Sequence, residues 1–175
     1  LLVARRLIES GVRLVHVNWP REPGDNASDN PLWDTHAQNH DRLEDVLCPI
    51  FDVGFSALIE DLDQRGLLDT TMVLSWGEFG RTPAMRYGAP DRSYGRDHWP
   101  AAYSALLAGG ELNMGQVVGA TNSKSEYPTE RPYTPQDLLA TIYRHLQIDY
   151  FRTFTDFAGR PVHILTEARP IRELI

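Results

Sequence analysis

Apolar residues at Leu43, Leu47, Phe51, Phe55, Leu58 and Leu62 recur every three or four positions, which predicts a helical stripe ending near Gly66. Pro49 falls inside it and has no amide hydrogen to donate, so the helix is expected to kink there or to divide in two. The chain opens on a shorter helical pattern, with Leu2, Arg6, Ile8 and Glu9 in phase and Gly11 as the stop. A third helix is predicted from Thr134-Pro135-Gln136-Asp137. There a proline occupies the first turn and an acidic group meets the positive end of the helix dipole; Leu138, Leu139, Ile142 and Leu146 supply the apolar side.

Between these segments the period changes. Residues 12–19 alternate and are rich in β-branched side chains, which predicts a strand. Residues 70–76 form a nearly continuous apolar run, the pattern of a buried parallel strand. Residues 101–107 predict a further strand before a turn at Gly109-Gly110, and Val117-Val118 a short one. Residues 20–31 and 84–100, rich in Pro, Gly, Asn and Asp, read as loops. Residues 149–175 read as an irregular tail with a turn at Gly159-Arg160-Pro161. The strand, helix, strand order predicts an α/β fold with a parallel-rich sheet flanked by helices. In such sheets ligands bind beyond the C-terminal ends of the strands. Polar clusters fall at those places: around Asp34, around Glu78, and before residue 101.

Composition narrows the picture further. A chain of 175 residues, 42% hydrophobic and 10% aromatic, can bury one core, so residues 1–175 are read as a single domain. Because the sequence opens without Met and inside a helical pattern, it reads as a fragment of a longer chain. A net charge of -7 argues against nonspecific nucleic-acid binding, which needs a positive field. It leaves room for an anionic ligand, since a bound cation or an Arg cluster reverses the sign of one pocket. The lone Cys48 cannot close an intramolecular disulfide and reads as a small core residue. No apolar run reaches about 18 residues, so no membrane span is expected.

The polar clusters suggest metal and anion chemistry. Asp34 and His36 stand two apart, and in an extended segment both side chains would point one way, toward a shared cation. Oxygen and nitrogen donors suit zinc, manganese or iron better than magnesium. The alternative is that Asp34 caps the next helix and His36 is a surface residue. Glu78 lies between Gly77 and Gly80, glycines that let a backbone approach a ligand. Arg81 would orient that carboxylate or hold an anion in a bidentate fork, or would form a purely structural ion pair with Glu78. Arg96, Asp97 and His98 bring a cation, a carboxylate and an imidazole into consecutive positions. Asp97 could serve only to fix the His98 ring, and Arg96 could be solvated. His16, His40, His145 and His163 lack such company and read as structural or surface residues. The sequence has no G-x-S-x-G elbow, phosphate loop or dinucleotide fingerprint, so no attacking group is evident.

Taken together, WDTH at 33–36, RGLLDTTMVLSWGEFGRTP at 65–83, GRDHWP at 95–100, LLAGG at 106–110 and DLLATIY at 137–143 resemble one family. It is the sulfatase-like domain-of-unknown-function 1501 family of bacterial proteins, placed in the alkaline phosphatase superfamily. The resemblance implies an alkaline phosphatase-like fold, of which this chain is the C-terminal portion. It also implies a metal-dependent hydrolase of sulfate or phosphate esters whose nucleophile comes from an N-terminal half. Asp34, His36 and His98 would be metal ligands, Glu78 a second-metal ligand or an orienting carboxylate, and Arg81 and Arg96 the anion-binding groups. The implied cofactor is a divalent metal, zinc first, with calcium, manganese or magnesium as alternatives. The implied partner is an anionic ester, a small molecule or a glycan. The sequence departs from the superfamily in having Phe79, not His, after Glu78. A non-catalytic protein binding sulfated or phosphorylated glycans through the same pocket is the rival reading. Relatives commonly carry export signals, which implies the periplasm or the cell exterior.

Overall fold

The computed structural model of the chain describes residues 1–19, 32–85 and 94–175. The loop expected at 20–31, and the part of the second loop at 86–93, lie outside the described residues. The three predicted helices form: α1 (Leu2–Glu9), a long segment around residues 39–64, and α4 (Pro135–His145). The long segment changes helix type at Cys48, one residue before Pro49. A four-residue helix α2 (Asn39–Arg42) runs through a π-helical turn (Leu43–Leu47) into α3 (Cys48–Gln64), with Pro49 in the first turn of α3. There the missing proline amide is one that an α-helix leaves unused, and the wider π turn absorbs the change of register. Past Gln64, Leu67 N donates to Leu62 O at 2.9 Å and Gly66 N to Asp63 O at 2.9 Å, which closes α3 with a Schellman motif. Cys48 is exposed rather than in the core, because the face of α3 that carries it is turned to solvent.

The strands are short, and among the described residues every ladder is antiparallel. Strand β1 (Val73–Ser75) pairs with β4 (Leu106–Ala108), and β2 (Gly80–Arg81) with β3 (His98–Trp99). Strand β5 (Ala120–Thr121) pairs with β6 (Pro128–Glu130), and β7 (Thr153–Thr155) with β8 (Pro161–His163). The apolar run at 70–76 therefore does make a strand at its centre, but its described neighbour runs the other way. Residues 12–19 carry no ladder. The tail read as irregular contains the β7–β8 hairpin and a 3-10 turn (Arg172–Leu174). Its turn is pinned by Asp156, whose Oδ1 accepts from Ala158 N and Arg160 N, each at 2.9 Å.

The core gathers where α4 meets β1, β4 and the tail. Leu138, Ile171 and Leu174 are buried together, with Leu74, Leu107, Leu112, Val118 and Ile142 packed against them. Helix α4 holds the tail by hydrogen bonds as well as by packing. Thr141 Oγ1 accepts from Ile171 N at 2.9 Å, and Asp137 Oδ1 accepts from Arg169 N at 2.9 Å. Asp137 also closes a capping box with Thr134 at the start of α4, which is why a proline and an acidic residue begin that helix. No described helix is long and apolar enough to cross a membrane.

Candidate metal centre

Three stretches that are distant in sequence meet beside the β2–β3 ribbon. In that ribbon Arg81 stands opposite His98, and Gly80 opposite Trp99. Beyond the pair, Thr82 N donates to Asp97 O at 2.9 Å, while Asp97 N donates to Thr82 Oγ1 at 3.1 Å. The segment before α2 docks onto the same ribbon through Arg96 N to Thr35 O at 3.2 Å and Asn39 N to Tyr94 O at 3.0 Å. Thr35 and Asn39 are 1% and 3% exposed, and Asn39 Nδ2 donates to Thr35 Oγ1, so this docking is an internal joint rather than a surface contact. Glycine is required at two points of close approach. A β-carbon at Gly80 would lie 1.9 Å from Ala102 O, and one at Gly95 1.8 Å from His36 O.

This scaffold brings together three of the four expected metal ligands. One donor atom each from Asp34, His36 and His98 lies within 4.8 Å of the other two. His98 Nε2 donates to Asp34 Oδ1 at 2.8 Å, and His36 Nε2 lies 3.1 Å from the same oxygen. Residues 34–36 do not run extended, because His36 N donates to Asp34 O at 3.0 Å across a γ-type turn. The two side chains nevertheless converge. Asp34 is not a helix cap: the N-cap of α2 is Gln38. Arg81 also donates to Asp34 Oδ1, so one carboxylate oxygen collects a guanidinium and two imidazoles. Burial pushes the Asp34 carboxyl up, but the hydrogen bonds from Arg81 and His98 and the charges of Arg81 and His36 outweigh it. The carboxyl is held below its usual range and is ionised at neutral pH.

The chemistry of this donor set fits a cation. Bonds of about 2.1 Å in a tetrahedral site place ligand atoms about 3.4 Å apart; here the two imidazole nitrogens lie 2.8 and 3.1 Å from Asp34 Oδ1, and all three donors lie within 4.8 Å of one another. One carboxylate oxygen with two imidazole nitrogens suits zinc, whereas calcium and magnesium take oxygen ligands. The side chains of Asp34, His36 and His98 are between 32% and 43% exposed, which leaves the cluster open to a ligand from solvent.

The remaining expected residues divide. Glu78 stands exposed between β1 and β2 and does not join the converging donors. Arg81 turns away from the expected Glu78 pair and toward Asp34. It also donates to Trp33 O at 3.1 Å and to Arg96 O at 3.2 Å. Arg96 donates to Thr82 O at 2.9 Å and to Pro83 O at 3.2 Å. Both arginines thus tie loops together. His40 lies beside Met85 and His163 beside Phe151 O, away from the cluster.

Two residues that the sequence singled out have partners it did not assign. Asp97 accepts from His36 Nδ1 at 3.1 Å. Phe79 packs its ring against His98 at a centroid distance of 4.2 Å, and the His36 ring lies 4.8 Å from His98 on centroids. Phe79 lies in the bend just before β2, where no strand alternation marks its face.

No curated protein and no solved structure matches the chain. A family model described as "Protein of unknown function (DUF1501)" matches it over residues 1–175, and the chain belongs to that family.

Proposed function

We propose that this chain supplies the later metal ligands of a sulfatase-like hydrolase of the alkaline phosphatase superfamily, acting on sulfate or phosphate esters. The observation that carries the reading is the convergence of Asp34, His36 and His98 from segments more than 60 positions apart onto one point. A divalent cation bound there, zinc first, would supply Lewis-acid stabilisation of charge on the ester oxygens. The chain's own residues provide the rest. Asp34 stays ionised because Arg81 and the imidazoles favour its charge. Phe79 and His36 flank the His98 ring and limit its rotation. Arg81 and Arg96 set the loop geometry and lend positive charge to an approaching anion. The parallel-rich, alkaline phosphatase-like sheet belongs to this proposal through the ordered motifs, and the attacking group would come from outside this chain.

One observation favours the rival reading, a protein that binds sulfated or phosphorylated glycans without turnover. Phe79 stands where the superfamily commonly places a second-metal imidazole, and Glu78 lies apart from the cluster. That arrangement suits a single cation.

The test is metal analysis of the full-length protein beside Asp34→Ala and His98→Ala, followed by assays on aryl sulfate and aryl phosphate. Stoichiometric metal that both substitutions abolish, with turnover of either ester, supports the hydrolase. Metal bound without turnover supports the binding protein. Metal content that neither substitution alters would remove the ligand assignment altogether.

A further inference from the structure

We infer that Asp97 is a positioning residue that sets the tautomer of His36 and thereby aims its Nε2 at the cation site; this rests on the metal reading proposed above. An imidazole has two nitrogens, and the partner of one decides what the other can do. His36 Nδ1 lies 3.1 Å from Asp97 Oδ1. A carboxylate only accepts, so this nitrogen carries the hydrogen. Nε2 is then the nitrogen left to face the site, 3.1 Å from Asp34 Oδ1. A cation seated between these two atoms would be held by both. Metal-ligating histidines generally pass their second N–H to a carboxylate in this way.

Asp97 is well placed for the task because its backbone is fixed from both sides. Its carbonyl accepts from Thr82 N at 2.9 Å, and its own N–H donates to Thr82 Oγ1 at 3.1 Å. The carboxylate can therefore act as a fixed stop for a ring on the neighbouring segment, 61 positions away in sequence. Its sequence neighbour His98 approaches the same point from β3, so two adjacent residues supply a ligand and the orienting group of another ligand.

The experiment uses the full-length protein with Asp97→Asn and Asp97→Ala, and two readouts. The first is zinc affinity by calorimetry, with the visible spectrum of the cobalt form as a check on geometry. The second is the nitrogen-15 spectrum of the histidine rings without metal. Asp97→Ala is expected to weaken zinc binding by about 10- to 100-fold. Asp97→Asn, whose amide oxygen can still accept, should fall between it and the wild type. In the metal-free spectrum the Nδ1–H form of His36 should be dominant in the wild type and lose that dominance in Asp97→Ala. A purely structural Asp97 would change stability and leave the tautomer alone. Unchanged zinc affinity together with an unchanged His36 tautomer in both variants would overturn the inference. If the wild type binds no zinc but the tautomer still follows Asp97, the positioning stands and the metal reading falls.

Discussion

Gly95 and His36 meet so closely that a β-carbon on the glycine would stand 1.8 Å from the His36 carbonyl oxygen and 2.7 Å from Ala37 N. These are backbone atoms, and no rotamer change can move them aside. The contact seats the Asp34–His36 turn on the segment that leads into β3 and His98. We predict that Gly95→Ala costs on the order of 3 kcal/mol, the upper end of overpacking, and drives the two segments apart. Thermal unfolding would register the loss, and zinc affinity should drop with it. A variant of wild-type stability would show that the contact relaxes without strain.

Arg81 serves three acceptors at once: the Asp34 carboxylate, Trp33 O and Arg96 O. A lysine retains the charge but not the fork, so Arg81→Lys is expected to recover little of what Arg81→Ala loses. Each should be destabilised by about 2 kcal/mol, in keeping with charge-assisted hydrogen bonds left partly unmade. For a chain of this size that is a fall in melting temperature of roughly 4–8 °C. Full rescue by lysine would mean that charge alone, and not the branching of the guanidinium, holds the loops.

The cap of α4 gives a pH-dependent stability with a defined sign. Burial pushes the Asp137 carboxyl up, but hydrogen bonds from Arg169 N and from the Thr134 backbone and side chain, and the Arg169 charge, bring it below its ordinary value. A depressed folded-state value means that the unfolded chain takes up its proton first. The contribution is therefore complete above about 3.9 and disappears as the pH falls through the lower folded value. Asp137→Asn should be less stable than the wild type at neutral pH and should converge with it in acid. Thr134→Ala should cost about 1 kcal/mol through loss of the cap. Denaturant unfolding across the acid range would decide; a stability gap that persists unchanged in strong acid would exclude this account.

Trp19 and Trp33 meet edge to face at 5.7 Å, and both contact Phe51 on α3, at 5.9 and 6.1 Å. Trp33 precedes Asp34, so this cluster is an anchor for the ligand turn. Trp19→Ala is expected to cost about 1 kcal/mol, the worth of such ring pairs beyond burial. It should also shift the fluorescence of Trp33 and weaken zinc binding by a few-fold. Unaltered zinc affinity would confine the cluster to a packing role.

Helices were the most legible part of the fold, because their signals are local. The period through Leu43–Leu62, the stop at Gly66 and the cap at Thr134–Asp137 each depend on residues within one or two turns. Strand direction was not legible, since a run such as Val73-Leu74-Ser75 records burial and says nothing of its neighbour's polarity. That Asp34, His36 and His98 would converge was legible by residue type, since each is a donor set among loop residues, whereas Glu78 does not join them. What escaped was pairing at long range. Asp97 was read as a group that could fix the imidazole beside it in sequence, whereas its carboxylate lies 3.1 Å from His36 Nδ1, 61 positions away. Arg81 was matched to nearby Glu78 for the same reason and pairs instead with Asp34, 47 positions away.

The dependence of the core on Ile171 and Leu174 has a consequence for biosynthesis. These side chains close against Leu138 and, through it, against Leu74 and Leu107. Residues 171–174 leave the ribosome about a hundred positions after β1, so the earlier strands emerge into solvent with their apolar faces uncovered. Helices α1 and α3 can form as they appear, but the contacts that fix β1 and β4 must wait for the tail. The core therefore closes only once residues 171–174 have emerged. The interval before the tail docks is when a chaperone, or aggregation, would compete for the chain.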